Sequence, residues 1–343
     1  MWRNCTGEKM NAHRGLSLQV VAGICCSFTG ITVAAASEPL YVKNLSPVSA
    51  LYGLPSQRNA QSQQAGSFAL ALHNSIANHY ILEVDGPEQA NIDGETVRIA
   101  FEMRYGLADN WDVQVELPWV HYSGGHLDSA IESWHDLWGM PDGGRPGVAR
   151  DILNIGYSGP ESAFSLADKA SGLGDVSVAV SHSFYSGENA TASAVLGYKF
   201  ASGDQDDLLG SGEDDIFFAL RFSGAPSVGS SLLWHGQAGY ILAGEADVLG
   251  DSQNTHLWFA GVSMDWRVAR HFSLFAQLDM HSAPADSALT AIGEDAYLGS
   301  LGGRWTPSEN WSLDFSFTED LQVDTAPDIT FQASLRYTPG VSR

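Results

Sequence analysis

The sequence predicts an all-β fold: a transmembrane antiparallel up-and-down β-barrel of about twelve strands. Three observations carry this expectation. Apolar and polar residues alternate with a period of two, aromatic residues recur eight apart on the apolar side, and short and long connections take turns along the chain. Alternation alone also fits a soluble sandwich, because successive side chains of any strand face opposite ways. The other two observations separate the cases.

The chain of 343 residues opens on a segment that reads as an export signal, residues 1–36. Arg3, Lys9 and Arg14 form a basic start, Leu16 to Val33 is largely apolar, and Ala34, Ala35 and Ala36 offer a small-residue cleavage site. Met10 as the start would shorten this signal to a more usual length. Cys5, Cys25 and Cys26 all lie inside it, so cleavage leaves no cysteine for disulfides or metal binding. Cleavage also removes Arg3, Lys9, Arg14 and Glu8, which makes the remainder two charges more acidic than the −23 of the whole chain. Such a chain repels phosphates, which excludes nucleic acid as a partner. Residues 37–66 follow as a periplasmic or lumen-plugging segment, and residues 67–338 form the barrel.

Strands are expected near residues 67–77, 96–106, 111–123, 174–185, 191–201, 214–223, 231–242, 255–268, 271–282, 295–305, 311–319 and 329–338. In the third, Trp111, Val113, Val115, Leu117 and Trp119 share one face while Asp112, Gln114 and Glu116 share the other. The second sets Val97, Ile99, Phe101, Met103 and Tyr105 against Arg98, Glu102 and Arg104. With Tyr105 opposite Trp111, Arg104 would face Asp112 across the pair. Trp111 with Trp119, Trp258 with Trp266 and Tyr297 with Trp305 are then about 20 Å apart along the membrane normal, near the spacing of two aromatic girdles. Connections 107–110, 186–190, 224–230, 269–270 and 306–310 are short and alternate with longer ones, as expected of periplasmic turns and external loops. Arg98, Arg104, Lys199, Arg221, Arg267, Arg304 and Arg336 are expected to face inward with Asp112, Asp265, Asp279 and Asp314. A wet lumen accommodates such charges; a dry sandwich core does not.

The longest connection, 124–173, holds the one stretch with helical spacing, Leu127 to Trp138, before a breaker run from Gly139 to Arg145. Asp128, Glu132 and His135 fall on one face of it, as a polar lining or a ligand site would require. His121 and Ser123 are the nearest approach to a nucleophile and base, but the apolar pattern puts His121 on the lipid face beside Trp119 and no third orienting group is evident. His271 and Ser273 repeat that spacing by chance. The acidic run from Asp204 to Asp215 lacks the spacing of a calcium loop and reads as a solvated external loop. Nucleotide, zinc-protease and EF-hand patterns are absent, so no cofactor and no enzyme activity are expected.

The stretch Pro39-Leu40-Tyr41-Val42-Lys43-Asn44-Leu45-Ser46-Pro47, followed by Leu51-Tyr52-Gly53-Leu54-Pro55, resembles the start of a bacterial family known as domain of unknown function 3187. Gly124-Gly125-His126-Leu127-Asp128 with His135, Gly139 and Gly143-Gly144-Arg145 also resembles it. Gly210-Ser211-Gly212-Glu213-Asp214-Asp215 is similar to a pattern common in outer-membrane barrels. The resemblance implies an outer-membrane barrel and no activity. It departs at the end, where six residues follow Tyr337 instead of a terminal aromatic that barrel assembly machinery would read. The sequence therefore points to a channel or uptake protein for a small solute in a Gram-negative outer membrane, in contact with outer-membrane lipid and lipopolysaccharide. A barrel with closed lumen serving structure or surface interaction is the second reading, and a lipid hydrolase the third. Arg58, Asp128, Glu132, His135 and Arg145 in the narrowing segments, with Arg98, Arg104, Asp112 and Glu116 on the wall, are the expected lining.

Overall fold

The computed structural model describes residues 37–126, 151–322 and 324–339. The export segment expected over 1–36 lies outside them. Among the described residues, fifteen strands form one antiparallel sheet: β1 (Phe68–Asp85), β2 (Glu88–Ala108), β3 (Trp111–Ser123), β4 (Asn154–Ser158), β5 (Ala163–Leu166), β6 (Ala170–Leu173), β7 (Ser177–Ser186), β8 (Ala190–Lys199), β9 (Asp215–Gly224), β10 (Leu232–Ala243), β11 (His256–Ala269), β12 (Phe272–His281), β13 (Ala296–Trp305), β14 (Trp311–Asp320) and β15 (Ile329–Tyr337). Twelve of them close into a ring. β15 returns to β1 in a register running from Leu70 opposite Tyr337 to Asn78 opposite Ile329, and β3 pairs with β7 from Trp111 to Glu116. Closure leaves the barrel wall no free edge.

Parity sorts the wall as the alternation predicts. Trp258, Val262 and Trp266 point out of β11, with Val262 57% exposed midway between the two tryptophans. Phe259, Ser263 and Asp265 point in and are buried. An apolar exterior around a polar interior inverts the pattern of a water-soluble barrel and suits a lipid surrounding. No helix among the described residues is long and apolar enough to cross a membrane. Val262→Arg is accordingly expected to destabilise the barrel by about 2–4 kcal/mol, the scale of a cation at mid-bilayer depth. Urea unfolding in lipid vesicles measures this, and a change below about 1 kcal/mol would argue that this face does not meet hydrocarbon.

Three details differ from the sequence reading. The stretch between the first two strands is not a loop: β1 and β2 continue as a hairpin to the turn at Gly86 and Pro87, pairing as far as Asp85 opposite Glu88. Beyond the ring this hairpin recruits β4, which pairs with Gln89 to Asp93, and β5 pairs with β4. Ile81, Glu88 and Ile92 are buried on one face while Leu82 and Val84 stand 62% and 65% exposed on the other, and polar and apolar residues occur on both faces, so no clean alternation marks them. Second, a bulge between Gly106 and Ala108 shifts the β2–β3 register, and Gln114 stands opposite Arg104. Arg104 still reaches Asp112 diagonally, at 2.8 Å. Third, Arg267 has inward parity but sits exposed beside the bulge between Arg267 and Ala269.

At the end carrying the long connections, the loops fold into a dome with its own apolar core. Ile81, Ile92, Tyr122, Ile155, Leu249 and Leu289 meet there. The Glu83 carboxylate accepts the backbone N–H groups of Thr290 and Ala291, and Glu88 accepts that of Ala288 and the Tyr157 hydroxyl. These acids clamp the connection between β12 and β13 onto the β1–β2 hairpin by satisfying N–H groups that a single helical turn leaves open.

Candidate functional site

Residues 37–63 occupy the lumen. Proline at positions 39, 47 and 55 keeps this stretch from pairing as a strand, because each proline removes a ladder donor and holds its neighbour extended. It enters along β12–β15, where the Arg304 and Arg336 side chains reach Ser37 Oγ and the Pro39 carbonyl. It turns beneath the dome in one 3-10 turn, Ser49–Leu51. It returns past Gln237, which donates to the Pro55 carbonyl, and leaves near the short turns, where Gln63 N–H donates to Asp112. Wall and plug each leave room for the other. A methyl group added at Gly261 would run into the Gln57 side chain, and one at Gly302 would meet Leu40 at 3.1 Å as well as Phe315 and Ser316 of the neighbouring strand.

Two charged clusters tether the plug. In the first, Glu116 accepts from Arg98 at 2.6 Å and from the Tyr41 hydroxyl at 3.1 Å, with Lys43 Nζ 3.5 Å away. Arg98 also donates to the Tyr41 oxygen. The Tyr41 ring stacks on His73 with centroids 3.8 Å apart, and Arg58 lies 5.2 Å from the ring centroid. Arg58 pairs with Glu102, whose other neighbours are Gln114 and His73. In the second cluster, Arg104 joins Glu38 of the plug at 2.6 Å and Asp112 of β3 at 2.8 Å. Burial alone would raise the Glu38 carboxyl, but Arg104, Arg58 and Arg336 together hold it below the ordinary carboxylate range. Burial pulls the Lys43 ammonium down to about 8 against the opposing pull of Glu116.

The expected lining thus divides. Arg58, Arg98, Arg104, Asp112 and Glu116 come together as the tether itself. Asp128, Glu132, His135 and Arg145 lie outside the described residues. Asp215, read from sequence as a member of the solvated acidic loop, instead opens β9 facing inward, buried, and bonds the Gly53 N–H at 2.8 Å and Lys199 at 3.2 Å. That acid was missed because the position of one strand end decides whether it faces loop or lumen. Glu38, Tyr41 and Lys43 were also missed as tether residues. Their signal was present: charged and aromatic side chains in a proline-punctuated stretch with no strand period. His121 is occupied elsewhere, stacking on Trp119 and bonding the Ala170 carbonyl through Nδ1, and forms no pair with Ser123.

Residues 16–338 match the model of a family described as a protein of unknown function, DUF3187. The chain belongs to this family. No curated protein matches it. Among solved structures, this DUF3187 chain is similar to the COG4313 outer membrane channel from Pseudomonas putida F1, with a TM-score of 0.53 and 13% identity over 81% of this chain and 97% of that one. It also matches the NanC porin, with a TM-score of 0.47 and 8% identity over 79% of this chain and 100% of the other. At 13% identity the first likeness establishes a shared barrel fold and nothing finer.

Proposed function

We propose that this DUF3187 protein is an outer-membrane channel for small solutes, held shut by residues 37–63. One observation carries the reading: the lumen holds a tethered segment of chain packed among the wall's own side chains. A barrel that serves structure alone fills from its walls, as small closed barrels do. Here the wall offers charged and polar groups to a segment held by hydrogen bonds and ion pairs, contacts that water replaces when the segment leaves. The apolar exterior supports a lipid surrounding, and the export signal expected at 1–36 supports delivery to the Gram-negative outer membrane. Catalysis is not part of the reading, since His121 already serves the Trp119 stack and the Ala170 carbonyl.

Planar-bilayer recording tests this. The full chain is expected to conduct in brief, small openings, and replacement of residues 38–58 by a glycine-serine linker of equal length is expected to give stable openings with conductance several-fold larger. If neither form conducts while both show heat-modifiable migration on gels, the barrel is a closed one and the channel reading fails.

A further inference from the structure

Between the plug and the β2–β3 and β7–β9 wall lies a cavity of about 70 Å³, lined by both limbs of the plug and by Arg98, Glu116, Lys199 and Arg221. A single water needs ~10–15 Å³ measured this way, so the space suits several waters or a solute of a few heavy atoms. Its charges are not matched. Glu116 is already held by Arg98 and Lys43, while Lys199 has Asp175 at 2.9 Å and Asp215 at 3.2 Å. Arg221 is different. It is 2% exposed and makes no ion pair among the described residues; its one hydrogen bond there runs from Nε to Gln237 at 3.4 Å. The acids whose charge reaches it, Glu38 and Asp112, are both bonded to Arg104, and Arg104 and Arg58 push against it. A buried guanidinium without a bonded carboxylate is costly, and its planar fork fits an oxyanion.

We infer that this cavity is a transit subsite for a small oxyanion, of carboxylate or phosphate class, with Arg221 as the residue that grips it. The inference rests on the channel reading and names the solute class that the channel selects. A bound oxyanion supplies the counter-charge Arg221 lacks, in a protein whose net charge of −23 otherwise repels anions. Selection for such a solute is then local to the lumen.

Calorimetric titration of the full chain in detergent with inorganic phosphate, at constant ionic strength set by chloride, tests it. Saturable binding at one site is expected. Arg221→Gln should weaken it by about tenfold or more, the worth of a charge-assisted hydrogen bond, and Arg221→Lys should restore part of it. Heat-modifiable migration checks that both variants fold. Absence of saturation in the full chain, or equal affinity in folded Arg221→Gln, overturns the subsite. Channels that conduct but bind no phosphate overturn the subsite alone; phosphate binding with no conductance in any form overturns the channel reading.

Discussion

Replacement of Glu116 by alanine is expected to release the entering limb of the plug. Glu116 is 4% exposed and serves Arg98, Tyr41 and Lys43 together. Its loss strands two partly buried cations and a hydroxyl against one another. An exposed ion pair is worth about 0–1 kcal/mol, but removing one partner of a buried pair costs about 3–5 kcal/mol. The cost falls on the plugged state, because in an open lumen the same cations are hydrated. The free energy therefore goes into unseating the plug more than into unfolding the ring. With all three native cysteines within residues 1–36, a Ser56→Cys probe on the returning limb reports this by maleimide labelling. Ser56 is buried and its hydroxyl bonds the Val42 carbonyl of the opposite limb. Labelling should be slow alone and at least about tenfold faster with Glu116→Ala, the least that a 1.4 kcal/mol shift produces. Equal rates would mean that the Arg104 and Arg58 contacts hold the plug without Glu116.

Leu51→Asp is expected to have an effect of similar size from the other end. Val48 and Leu51 at the plug's turn belong to the same apolar cluster as Ile81, Ile92, Ile155 and Leu289 of the external dome. Truncating a buried leucine costs about 2–5 kcal/mol, and a carboxylate in its place adds the cost of an unpaired buried charge. Plug tip and dome share one core, so this substitution should loosen both. Hydrogen exchange at Ala285 to Gly293 should accelerate together with exchange in the plug, whereas Glu116→Ala should leave the dome amides slow. Faster exchange in the plug alone would show that the dome keeps its core without Leu51.

The two substitutions separate an electrostatic tether from an apolar one. Together they describe how the proposed channel would open: a solute or field that competes for Arg98, Arg104 or Arg58 loosens the limbs, while the dome holds the tip. The oxyanion subsite at Arg221 lies between these two anchors, beside the returning limb.

What the sequence determined by itself is the ring. A period of two is a local property of the backbone, so the faces of β3, β9, β11, β12, β14 and β15 were legible from residues such as Trp111 to Trp119. Turn lengths and the inward parity of Arg98, Arg104, Asp112 and Glu116 followed from the same period. Tertiary structure decided the rest. The pairing of β1 with β2 out to Asp85 has no local signature, because polar and apolar residues share each face of that hairpin. Whether Asp215 belongs to a loop or to the lumen depends on where β9 starts against Lys199. Arg58, Glu38 and Tyr41 lie in a stretch without a period, and only the closed ring gives them partners: their contacts with Glu102, Arg104 and Glu116 join positions 44 to 75 residues apart. Alternation tells each strand which side is in; it carries no information about what will occupy that side.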